Sequence, residues 1–138
     1  MAEISIGADI PYTLDATATR GTVMVASATN AGNAKIAAAS GALGIVGVLV
    51  QDAIGNSTGG FQGDIRAGGV AMCKFLTGTT ITAGDMVKVG DANGRCTKLT
   101  AGATTLVGLV GIARQTVNTA IANDTLFEVQ LQIGTAMI

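Results

Sequence analysis

Apolar and polar residues alternate along most of the chain with the two-residue period of a half-buried strand. The clearest run is 125–133, where Phe127, Val129, Leu131 and Ile133 take one side and Glu128, Gln130 and Gln132 the other. Val23 and Val25 alternate with Thr22 and Met24, Val87 and Val89 with Met86 and Lys88, and Ile4 and Ile6 with Glu3 and Ser5. Between these runs stand turn signals: Asn30-Ala31-Gly32-Asn33, Ser40-Gly41, the loop 52–60, Gly68-Gly69 and Asp91-Ala92-Asn93-Gly94. Asn and Gly tolerate positive φ, and an Asn-Gly pair between apolar runs marks a hairpin. The stretch 37–42 is too short for a helix and meets glycine. The pattern predicts an all-β fold of about ten short strands, a compact barrel or sandwich.

One stretch occurs twice. GIVGVLVQ at 44–51 returns as GLVGIARQ at 108–115, sixty-four residues later, with Gly44, Val46, Gly47 and Gln51 matched by Gly108, Val110, Gly111 and Gln115. The flanking order of turns and strands repeats with it, and Asp64-Ile65-Arg66 falls on Glu128-Val129-Gln130. Two copies point to an internal duplication rather than a solenoid, which needs three or more. The expected organisation is a single β domain, 21–138, made of two similar halves (21–76 and 84–134). Residues 1–20 precede it as an extended N-terminal arm, with Pro11 as a break, Tyr12 and Leu14 as apolar anchors and 15–19 as a small polar linker. The arm either pairs with the body's sheet or reaches a neighbour. Where the first copy has Leu49-Val50 the second has Ala113-Arg114, so Arg114 is expected at a surface or interface and Val50 inside.

Composition narrows the picture. The 138 residues make one domain that is 49% hydrophobic but only 3% aromatic, so Val, Ile, Leu, Ala and Met must build the core. Charged residues are 12% of the chain, against roughly 25% in an average soluble domain. Such a surface is either dressed in Thr, Asn, Gln and Ser or covered by other subunits, and the second points to an assembly. Net charge is −1, which gives no general attraction to nucleic acid. Glu3, Asp9 and Asp15 are the charged residues before Arg20, so the arm is acidic and the body mildly basic. The uncharged run 36–51 is too short for a membrane span and is cut by Gly41, Gly44 and Gly47. No secretory leader pattern is visible, and synthesis in a reducing cytoplasm is expected.

Catalytic chemistry finds little purchase. With no His, a Ser or Cys nucleophile lacks its usual base. Ser40 and Ser57 stand in no G-x-S-x-G, and Cys73 and Cys96 form no C-x-x-C and read as buried thiols. Asp85 and Asp91 could share a strand face, though each suits a turn role better. Gly41-x-x-Gly44-x-x-Gly47 lacks the helix and the Lys-Ser/Thr pair of a phosphate loop. No enzyme is expected, and no catalytic, metal or cofactor residue is assigned. What remains is surface for assembly, with Ile4, Ile6, Pro11, Tyr12, Leu14, Arg114, Met137 and Ile138 as candidate interface residues. Met137 and Ile138 either fold back on their own subunit or enter a neighbour.

Gly84-Asp85-Met86-Val87-Lys88-Val89, then Asn93-Gly94-Arg95, then the run 106–113 and the strand 127–131 together resemble the small capsid cement, or head decoration, proteins of tailed bacteriophages. The 44–51 stretch resembles that family's G-V-L-Q element, and Gly68-Gly69-Val70-Ala71 the strand after it; the likeness covers roughly 21–134. It implies a structural, non-enzymatic virion protein, usually a homotrimer, on the outer capsid surface. Its partner would be the major capsid protein, with neither nucleic acid nor membrane involved, and it would clamp coat subunits against the pressure of packaged DNA. The competing reading is a ligand-binding β module, such as a carbohydrate-recognising host-attachment domain. That reading needs exposed aromatics, and Tyr12, Phe61, Phe75 and Phe127 are the candidates.

Overall fold

The computed structural model describes residues 9–56, 58–100 and 105–137, and among them eleven strands and no helix. The first half holds β1 (Asp9–Leu14), β2 (Val23–Ala26), β3 (Ala34–Ile36), β4 (Ile45–Leu49), β5 (Ile54–Asn56) and β6 (Gly60–Arg66). The second holds β7 (Val70–Lys74), β8 (Met86–Val89), β9 (Cys96–Lys98), β10 (Leu106–Ala113) and β11 (Leu126–Met137). The alternating pattern thus yields the all-β fold it predicts.

The first sheet runs β1-β3-β2-β4-β6, and β1 returns to pair antiparallel with β6 from Asp9↔Arg66 to Leu14↔Phe61. That pairing closes a five-stranded barrel, with β5 a short hairpin partner of β6. The second sheet runs β7-β11-β10-β8-β9, and a parallel bridge, Phe75↔Cys96, sets the chain just past β7 against β9. Leu14↔Ala34, between β1 and β3, is the same parallel bridge in the first half. β1 and β7 are therefore equivalent strands, and the two halves share one strand order.

This redraws the expected boundaries. Residues 9–14 pair with the body's sheet, the first of the two arrangements open to the arm, and as a barrel strand they belong to the first repeating unit; the units run from β1 to β6 and from β7 to β11. β7, expected at the end of the first half, opens the second. Pro11 does not break β1, because along 9–13 that strand has β6 on one side only, and an edge spares proline the hydrogen bond it cannot make.

Two cores follow from the alternation. Leu14, Met24, Ala34, Leu49 and Ile65 fill the first barrel, with Ala18 from the loop after β1. The intervening residues of β2 and β4 (Val23, Val25 and Val48) face away from it. They join Phe75, Val87, Val89, Val110, Phe127 and Val129 in a second, larger core that spans both halves. Backbone bonds weld the same seam: Lys74 N–H to Gly21 O at 3.0 Å, Val23 N–H to Gly94 O at 3.0 Å and Gly41 N–H to Val89 O at 2.8 Å. Two similar units thus form one domain.

The repeated stretch explains its glycines. A Cβ built on Gly47 would lie 2.4 Å from Arg66 O, and one on Gly111 would lie 2.1 Å from Gln130 O. Arg66 and Gln130 are themselves equivalent positions. In both halves, then, this glycine lets the fourth strand of its unit press against the backbone of the last. Both lie at register shifts, opposite Met24/Val25 in one case and within Leu109/Gly111 in the other.

Candidate interaction site

The residues expected at an interface do not share one environment. β1 carries Ile10, Tyr12 and Leu14 on one face, and cover increases along it: Ile10 is 53% exposed, Tyr12 half-buried and Leu14 3% exposed. Leu14 therefore belongs to the first barrel's core and cannot meet a partner, which corrects its place among the interface residues. Pro11 is exposed. Arg114 is exposed just beyond β10, its N–H bonded to Glu128 O at 2.9 Å. Val50, its counterpart, is half-buried: the order of exposure is as expected, but Val50 is not sealed. Ile4, Ile6 and Ile138 lie outside the described residues, as does the side chain of Met137, whose backbone ends β11 opposite Leu106. Beyond that set, Ile54 (62% exposed), Leu43 and Leu106 stand in solvent.

The loop after β1 is structured rather than a linker. The Asp15 carboxylate accepts bonds from Ser27 Oγ at 2.6 Å, Asn30 Nδ2 at 3.0 Å and Asn33 Nδ2 at 3.1 Å. It thereby pins the turn between β2 and β3. In that turn positive φ falls on Gly32, and the asparagines serve as donors instead. The Ser27 bond first, then those of Asn30 and Asn33, hold the Asp15 carboxyl below the usual carboxylate range. A carboxylate depressed in the folded state contributes stability above its unfolded value of about 3.9, and that stability is lost as pH falls through the lower folded value. Asp15→Asn should therefore lose less stability than wild type on acidification below about pH 4. Urea unfolding of both proteins across that range is the check, and parallel pH profiles would contradict it.

The remaining charged groups serve the scaffold. Asp85 accepts the Thr82 N–H at 2.9 Å and lies 3.5 Å from Lys98 Nζ. Asp91 accepts N–H bonds from Asn93 and Arg95 and is paired with Arg95 at 3.0 Å. The two carboxylates thus take the turn roles expected of them and form no pair. Burial pushes the Asp91 carboxyl up, yet the Asn93 and Arg95 bonds outweigh it and hold it low. Arg95 also grips Asp124 at 2.9 Å, and the two carboxylates raise the guanidinium further. Asp124 is a non-glycine residue at positive φ (70°), held there by that grip. Cys73 and Cys96 are free, fully buried thiols. A bond to Cys73 and burial push the Cys96 thiol well above its ordinary value, away from nucleophilic reactivity. Among the described residues no group of three His, Cys, Asp or Glu is placed to hold a metal.

Two clefts lie along the seam between the halves. One, of about 270 Å³, lies between the 17–22 loop and the Arg95–Asp124 pair. The other, of about 260 Å³, has Arg20, Val50 and Arg66 on the first half's side and Val70, Met72 and Glu128 on the second's. Arg66 is already engaged, with Asp9 at 2.8 Å and with Val70 O at 2.8 Å. Among the described residues Arg20 and Glu128 make no ion pair. Sequence reasoning missed this cleft because its walls come from opposite sides of a seam whose position depends on recognising β7 as a first strand. The chain matches no protein-family model, and no curated protein matches it.

Proposed function

We propose that this is a structural protein of a tailed-phage virion, a cement or decoration protein that binds the outer face of the head and stabilises the coat lattice without catalysing a reaction. The observation that carries the reading is the surface. The core is complete within one chain, yet Ile10, Ile54, Leu43 and Leu106 remain exposed on a body of 6577 Å². Only seventeen charged side chains serve that chain (8 basic and 9 acidic). A surface so poor in charge and studded with apolar side chains suits repeated contacts on a symmetric lattice, where many weak sites act together. The motif resemblance at 84–89, 93–95 and 106–113 points the same way. The sugar-binding alternative draws less support, since Phe75 and Phe127 are fully buried and Tyr12 and Phe61 pack half-buried on the first core.

The test uses expanded, undecorated shells of the phage whose genome carries this chain. The protein is expected to cosediment with them, to raise their disruption temperature, and to have a trimer's native mass. A monomer without affinity for those shells would sink the proposal.

A further inference from the structure

We infer that Asn93 is a site of spontaneous covalent modification: its side chain cyclises onto the Gly94 nitrogen, and the hairpin between β8 and β9 ages into aspartate and isoaspartate forms. The reaction needs no partner and is independent of the capsid reading above. Asparagine is a thermolabile residue, and the peptide nitrogen that follows it sets how readily it reacts. Among the asparagines whose side chains are described, Asn30 and Asn33 donate to Asp15, Asn118 accepts the Ala120 N–H and Asn123 accepts the Thr77 N–H. Each of these precedes a residue whose side chain crowds the approach. Asn93 is exposed, its side-chain amide has no partner among the described residues, and it precedes a glycine, which admits a close approach.

The turn leaves the attacking atom free as well. Asp91 Oδ1 accepts the N–H of Asn93 at 3.0 Å and that of Arg95 at 3.3 Å. It passes over the Gly94 N–H between them, which has no partner among the described residues. Attack by that nitrogen on Asn93 Cγ forms a C–N bond as the Cγ–Nδ2 bond breaks. The Gly94 proton departs with Nδ2 as ammonia, and a succinimide ring remains. Water then opens the ring at either carbonyl. Opening at Cγ leaves aspartate on an unchanged main chain. Opening at the main-chain carbonyl leaves isoaspartate, with the chain rerouted through the side chain and one carbon longer.

The place of Gly94 makes the longer product costly. Gly94 O accepts the Val23 N–H across the seam at 3.0 Å, and a Cβ on Gly94 would lie 2.6 Å from Thr22 Cγ2. The turn is thus packed on the first half, and an added carbon displaces it. Either product also puts a new carboxylate in the cleft with Arg95 and Asp124, where Arg95 already serves two carboxylates.

The experiment holds folded protein for days in mildly alkaline buffer, beside a sample in urea, and digests both with trypsin. Cleavage after Lys88 and Arg95 releases 89–95, the peptide that carries Asn93. That peptide should gain one mass unit in both samples, more slowly in the folded one, where Asn30, Asn33, Asn118 and Asn123 stay unchanged. Conversion in urea but none in the folded protein would overturn the inference, because the turn would then protect Asn93. Aged protein should melt several degrees below fresh protein. Asn93→Asp, which adds the charge without the extra carbon, should melt between the two. Aged and fresh protein melting together would overturn the loosening of the seam.

Discussion

Gly111→Ala is expected to cost about 3 kcal/mol or more, lowering Tm by roughly 10 °C, although the change adds a single methyl group. The added carbon would meet Gln130 O at 2.1 Å, and that oxygen belongs to the backbone of β11, which cannot turn aside as a side chain would. Gly47→Ala should behave alike, with Arg66 O at 2.4 Å and a φ of +150° adding to the strain. Gly32→Ala is the control. Its φ of +85° is equally unsuited to alanine, but nothing lies within 4 Å, so only the local backbone cost of about 1 kcal/mol remains. Thermal and urea melts of the three variants decide the matter. Gly111→Ala melting with the Gly32 control would mean that the close approach of the two strands is not a constraint.

Phe127→Ala should cost about 3–5 kcal/mol, the range for emptying a fully buried aromatic site. Its ring meets Phe75 edge to face, with centroids 6.2 Å apart and planes at 90°, so the loss includes that contact. The informative part is where the damage appears. Tyr12, the chain's one tyrosine, packs on the first barrel's core, far along the chain from Phe127. Because Val23, Val25 and Val48 of the first half share a core with Phe127, the Tyr12 fluorescence transition should shift together with the far-ultraviolet circular dichroism. Two separate transitions, with Tyr12 unmoved, would mean that the halves are independent units.

Much of this architecture was legible in the residues. Period-two alternation located most of the strands, and the match of 44–51 with 108–115 found the duplication and its paired glycines. Asp64–Arg66 against Glu128–Gln130 found the very backbone those glycines press on. The equivalence of β1 and β7 as the first strands of the two units escaped, because DIPYTL and VAMCK have no residue in common at matching places. Their equivalence lies in pairing, Leu14 with Ala34 and Phe75 with Cys96, and pairing leaves no local trace. Asp15 escaped for a similar reason. Its donors are twelve to eighteen residues away, and small polar residues in a row resemble a linker until a carboxylate gathers them. The cleft at Met72 depends on β7 opening the second unit, since its walls come from either side of the division between Arg66 and Val70.

Closure of the first barrel by its own first and last strands bears on how the chain emerges from the ribosome. β1 is made early, but its antiparallel partner β6 is made last of that unit, so the ring cannot close until Arg66 has cleared the exit tunnel. Even then Val23, Val25 and Val48 stay bare, because the side chains that cover them arrive with β7 to β11. A nascent first half therefore has all its ring strands but one flank still bare. That interval, between completion of the first ring and arrival of the second, is when two growing chains on one polysome are most prone to join each other in error.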